Sequence, residues 1–175
     1  MRYRIVPVTR FRQNCSLLWC PETMIGAVVD PGPELDKIEA AIVEEGIGVE
    51  KILVTHGHAD HSGGAADLAE HLGVPIEGPH KDDGFLIDAM AKQAQRTGLV
   101  TARSFSPNRW LADGETVTFG NVSLSVIHCP GHTPGHVVFY HKPSKLAVVG
   151  DVLFRGSMGR CDGPTGDHMA LVNAI

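Results

Sequence analysis

Cysteine is sparse in this chain. Its four copies, Cys15, Cys20, Cys129 and Cys161, fall in no Cys-x-x-Cys spacing, which excludes zinc-ribbon and dithiol redox motifs and leaves free thiols as the expectation. Cys15 and Cys20 could still pair in an oxidising setting. No apolar run approaches the ~20 residues that cross a bilayer. The start, Met1-Arg2-Tyr3-Arg4-Ile5-Val6, lacks the apolar core of a signal peptide, so the expected location is the cytoplasm. Basic residues form no block, and the formal charge is -5. Nothing here draws the chain to nucleic acid or to an anionic membrane. Coiled-coil heptads, low-complexity tracts and short repeats are missing too.

What is present fits one globular domain over 1–175: 43% apolar residues and a mean hydropathy of zero suffice for a sizeable core. Strand patterns occupy Tyr3 to Val8, Ser16 to Trp19 and Ile25 to Val29, the last closed by the turn signal Asp30-Pro31-Gly32-Pro33. Apolar residues Leu35, Ile38, Ile42 and Val43 recur at helical period from Glu34 to Glu45, with Gly46 and Gly48 as the stop. Lys51 to Thr55 reads as a buried strand, and Gly63 to Leu72 as a helix closed by Gly73. The polar stretch from Pro79 to Pro107, with a helix around Phe85 to Arg96, reads as an insertion or lid over one edge. Strands return at Thr116 to Phe119, Val122 to His128, Val137 to Tyr140 and Leu146 to Val149, the first two joined through Gly120-Asn121. Two groups of strands with hairpins too short for crossover helices predict a four-layer αββα sandwich, not one doubly wound sheet.

The chemistry concentrates in Thr55-His56-Gly57-His58-Ala59-Asp60-His61, three imidazoles and a carboxylate at the exit of a strand. Such N and O donors suit Zn, Fe, Mn or Co, and the absence of a thiolate argues against a closed structural zinc knot. A strand's carboxyl end is where open α/β sheets place ligands. Further along, Cys129-Pro130-Gly131-His132-Thr133-Pro134-Gly135-His136 turns sharply enough to hold an imidazole rigidly. His132 is the better ligand there, with His136 packed or supporting a ligand. Asp151, after Gly150 and amid Leu146 to Val149 and Val152-Leu153-Phe154, is a carboxylate in apolar company that needs a cation partner.

These residues resemble the metallo-β-lactamase superfamily, whose αββα fold carries His-x-His-x-Asp-His, a later His and then Gly-Asp in that order. Thr55 to Gly64, Pro130 to His136 and Gly150 to Gly156 look most like its glyoxalase II branch of thioester hydrolases. The resemblance implies that His56, His58 and His132 hold one metal, that Asp60 and His61 hold a second, and that Asp151 bridges them. Members of this type also carry a later His in a Gly-His-Gly-like loop. The chain ends at Ile175 inside a predicted helix, so the carboxyl-terminal part of the fold is expected to be absent and the second site weak or empty. His168, in Gly166-Asp167-His168-Met169, does not match that motif and reads as a surface residue.

By the same resemblance, two divalent ions, Zn foremost with Fe or Mn as alternatives, would generate a hydroxide that attacks the carbonyl of an S-acylglutathione such as S-lactoylglutathione. Asp60 and Asp151 would be the catalytic carboxylates. Arg160 stands where the branch places a basic contact to the thiol's carboxylates. The usual aromatic residue two places on is Asp162 here, and the helical glutathione domain is missing. Other readings are a mononuclear Fe(II) persulfide dioxygenase using His56, His58 or His132 with Asp151, and an inactive metal-binding module. The partner expected is a small-molecule thioester, with no nucleic acid and no membrane.

Overall fold

The computed structural model describes residues 1–175. β1 (Arg2–Val8) and β2 (Gln13–Trp19) form an antiparallel hairpin, and β3 (Ile25–Val29) returns antiparallel beside β2. Thr9 and Arg12 take positive φ in the first turn and Met24 in the second, conformations that reverse the chain in few residues. Helix α1 (Leu35–Glu45) then crosses over, so that β4 (Gly48–Leu53) lies parallel to β3. It stops at Gly46, left-handed at φ 64, whose N–H reaches the carbonyls of Ile42 and Val43, a C-cap that relieves the helix's last unpaired carbonyls. A second crossover through α2 (Ala59–Ser62) and α3 (Ala65–Leu72) brings the two-residue β5 (Ile76–Glu77) parallel to β4. The first sheet is thus ordered β1-β2-β3-β4-β5.

The second sheet is a meander of β6 (Thr116–Phe119), β7 (Val122–His128), β8 (Val137–His141) and β9 (Leu146–Val148), antiparallel throughout. The Gly120-Asn121 turn joins Phe119 to Val122 in register. Burial alternates along β7, with Val122, Leu124 and Val126 inward, as expected of a strand with one covered face.

The inner strands β2 and β3 of the first sheet are covered on both faces and lack that alternation. Leu17, Val28 and Ile52 point into a cluster with Ile38, Ala41, Ala65 and Leu68 of the helices. Their neighbours Leu18, Ala27, Val29 and Leu53 point the other way, against Val117, Phe119, Leu124, Val137 and Phe139. The fourth layer is α6 (His168–Ala174), whose fully buried Leu171 packs with Cys129, Val138 and Val152. The layers therefore run helix, sheet, sheet, helix. A small hairpin, β10 (Leu153–Phe154) with β11 (Ser157–Met158), follows β9. All four cysteines are free, and no helix is long and apolar enough to cross a membrane.

Two expectations need correction. The predicted helix at Gly63 to Leu72 is preceded by its own short turn, α2, and starts at Ala65. The helix around Phe85 to Arg96 is two, α4 (Gly84–Asp88) and α5 (Met90–Thr97), meeting at Ala89. The stretch containing them is packed onto the domain. Leu86, Ile87, Met90 and Ala94 are buried, because their spacing turns one apolar stripe of an otherwise polar segment inward.

Candidate active site

Four strand ends meet on one rim of the sandwich. β3 delivers Asp30, β4 delivers Thr55 to His61, β7 delivers Cys129 to His136, and β9 delivers Gly150 and Asp151. The two sheets are pressed together just below, and Val137 donates its N–H to the carbonyl of Thr55 at 2.8 Å. That bond stitches the two histidine-bearing loops at their base.

Three imidazoles converge first. His56 Nε2 lies 3.1 Å from His58 Nδ1, and His132 Nε2 lies 3.0 Å from the same atom. For His56 and His132 the outer nitrogen fixes the tautomer. Thr55 donates its hydroxyl to Asp30 at 2.6 Å, so its oxygen is left to accept from His56 Nδ1 at 3.0 Å. The carbonyl of Arg160 accepts from His132 Nδ1 at 2.7 Å. A neutral imidazole has one donor and one acceptor nitrogen, so His56 and His132 both turn lone pairs inward. Such convergence is the chemistry of a cation site, with carbonyl and hydroxyl partners orienting the ligands from behind. Residues His56, His58 and His132 fit a divalent ion.

Beside them lies a second cluster. His61 Nδ1 is 2.9 Å from Asp30 Oδ2, and His61 Nε2 is 3.2 Å from Asp151 Oδ1. The other oxygen of Asp151 is 3.3 Å from His132 Nε2. One carboxylate therefore spans both clusters. Asp60 Oδ2 stands 3.9 Å from His61 Nε2 at the open side. The six residues picked out by sequence are thus brought together.

The electrostatics follow from burial and pairing. Burial, aided by neighbouring imidazoles, holds His56 and His136 well below the usual histidine range and His58 down to about 3. Burial also works against a charged His61, but Asp151 and Asp30 outweigh it and raise that pKa to about 10. Asp151 feels a burial penalty too, overcome by His61 first, and falls to about 2. His61 is thereby held as a cation between two carboxylates.

Sequence reasoning missed the residues that hold this arrangement. Asp30, read only as part of a turn, is buried at positive φ and accepts from the N–H and hydroxyl of Thr55 as well as from His61. Asp83, fully buried, accepts from the N–H groups of Gly57 and Gly135 and the hydroxyl of Thr133, tying both histidine loops together. Gln93 donates to the carbonyls of Gly57 and Leu86 and accepts from the N–H of Ala59. His136, expected from the sequence to be packed or to support a ligand, stacks on His56 at 4.7 Å between ring centres and accepts the N–H of Asp151. Gly150 beside it is obligatory: at φ 49, a Cβ would lie 2.5 Å from His136 Nε2.

Arg160 lines a cleft over the site with Phe11, Arg96 and Phe154. Its side chain is 82% exposed and 3.5 Å from Asp162. His168 is exposed, near the Cys161 sulfur and away from the histidine clusters.

A family profile described as "Metallo-beta-lactamase superfamily" matches residues 8–175. The "Hydroxyacylglutathione hydrolase GloC" of Haemophilus influenzae is 43% identical over 176 residues, spanning all of this chain and 82% of its own length. Among solved structures, TTHA1623 in a di-iron-bound form superposes with a TM-score of 0.87 at 36% identity, over 98% of this chain and 83% of that one. The B3 metallo-beta-lactamase BLEG-1 gives a TM-score of 0.89 at 26% identity, over 99% of this chain and 83% of that one.

Proposed function

The chain belongs to the metallo-beta-lactamase superfamily, and on that premise we propose that it is a metal-dependent thioester hydrolase acting on S-acylglutathiones. The likeness to a hydroxyacylglutathione hydrolase over the full chain supports the substrate class. The observation that carries the reading is the double reach of Asp151, 3.2 Å from His61 and 3.3 Å from His132, which suits a carboxylate shared between two cations. His56, His58 and His132 would hold one ion, and Asp60 and His61 the other. When bound, such ions acidify water toward neutral pH and polarise a carbonyl.

The chain's own groups then have distinct tasks. Asp30 fixes the ring of His61, and the Arg160 carbonyl fixes that of His132, so neither ligand must reorganise as charge develops. Asp60, at the open side of the site, would orient water and accept its proton. No residue need protonate the leaving group, because a thiolate departs unaided. The Arg160 guanidinium, exposed beside Asp162, would meet a substrate carboxylate in bidentate fashion. Phe11 and Phe154 supply apolar walls to the same cleft.

The test is thiol release from S-lactoylglutathione and from a simple acyl thioester by the metal-reconstituted protein, with oxygen uptake on a glutathione persulfide measured in parallel. Release from the glutathione ester that stops on chelation is expected. Release from the simple ester alone would reassign the thiol, and oxygen uptake without release would replace the hydrolase with a persulfide dioxygenase.

A further inference from the structure

We propose that His80, Asp82 and His128 form a second divalent-cation site of the imidazole and carboxylate type, separate from the catalytic rim, that fastens the 81–83 turn to the end of β7. One donor atom from each of the three lies within 4.8 Å of the others. They come from two segments far apart in sequence: the 3-10 turn Lys81–Asp83, capped by His80, and the last residue of β7.

Both imidazoles are held in place. The rings stack at 4.4 Å between centres, 27° apart. The backbone N–H of His80 is anchored on the carbonyl of Gly135 at 3.0 Å, and that of His128 on Asp113 at 2.9 Å. His128 Nε2 donates to the carbonyl of Pro134 at 2.8 Å, which leaves the lone pair on its Nδ1 without a commitment. A carbonyl holding the far N–H is the usual support of a metal-bound histidine.

The His80 and Asp82 donors face each other. His80 Nδ1 accepts only a long 3.3 Å contact from the N–H of Asp82, and it faces the carboxylate of Asp82 at 3.4 Å. Two electron-rich atoms facing each other gain from a cation between them. Two imidazoles and one carboxylate select Zn, Co, Ni or Cu over Mg or Ca. His80 and Asp82 have side chains 17% and 50% exposed, so water can complete the coordination and affinity should be below that of the catalytic rim. The consequence is mechanical: the next residue, Asp83, braces both histidine loops, so an ion here would stiffen that brace.

The experiment strips the whole protein of metal, titrates it with Zn(II) or Co(II), and counts bound metal after gel filtration while following the melting midpoint. The Asp82→Ala/His128→Ala double variant should bind one equivalent fewer, lose only the weaker step, and lose the rise in midpoint belonging to that step. His58→Ala should lose a tight step and keep the weak one. If the double variant misfolds, His128→Gln gives the same reading. Equal stoichiometry and an equal midpoint rise in wild type and variant would overturn the proposal and leave a stacked histidine pair only.

Discussion

At the residue scale, orientation of the ligands is the property most open to measurement. Asp30→Asn keeps the shape but weakens the acceptor for His61 Nδ1 and for the Thr55 hydroxyl. Loss of such a supporting carboxylate typically costs 10- to 100-fold in metal affinity or activity. We expect a fall of about that size in kcat/KM and substoichiometric second-metal loading, checked by steady-state kinetics and elemental analysis. Asp83→Ala should act on stability instead, since the N–H groups of Gly57 and Gly135 and the hydroxyl of Thr133 would lose their buried partner. At roughly 1–3 kcal/mol for each buried group left unsatisfied, the loss should be a few kcal/mol, read from urea midpoints at constant m-value. These two aspartates also mark the limit of what the sequence made legible. His56, His58, Asp60 and His61 stand out by density in one short run, and His132 and Asp151 by turn chemistry and apolar surroundings. Asp30 and Asp83 sit in turn-like or polar contexts where an aspartate is unremarked, and only tertiary closure gives them partners.

At the scale of elements, α6 is the one helix over the second sheet, and it is tied to the His132 loop. Asp167 donates its N–H to the carbonyl of Gly131 at 2.8 Å, and Leu171 fills the apolar gap among Cys129, Val138 and Val152. Leu171→Ala should cost about 2–5 kcal/mol through the cavity it leaves. Because Gly131 packs against Leu171, hydrogen exchange in 129–136 should quicken as well; unchanged exchange there would show that the helix does not support the loop. Elements with a clear period were easy to read: α1, the β6–β7 hairpin and the alternating β7 lie where the pattern predicted. The break between α4 and α5, the two-residue β5 and the β10–β11 hairpin did not announce themselves. Each is too short to establish a period, and each is set by what it packs against.

At the scale of the whole molecule, the buried imidazoles make metal-free stability depend on pH with a definite sign. His61, raised from 6.5 to about 10 by its two carboxylates despite burial, contributes stability that is complete below about pH 6.5 and is lost as pH rises through 10. His56, His58 and His136, lowered by burial, resist protonation when folded, so stability drains as pH falls from 6.5, for His58 down to about 3. Asp151, lowered to about 2, adds a loss below about 3.8. The metal-free chain should therefore be most stable near pH 6.5, with the steeper decline on the acid side, where three imidazoles act against one. A metal that displaces the His61 proton removes the alkaline limb, so the loaded protein should melt at nearly the same temperature at pH 6.5 and 9 while the stripped protein does not.

Asp30 accepts from Thr55, which orients His56, and from His61, through the same Oδ2. A single oxygen thus sets the aim of both halves of the centre, and filling either half prepares the other. Loading should consequently be coupled: in an equilibrium titration the first ion ought to raise the affinity for the second, and two independent steps would show that the shared oxygen does not link the halves.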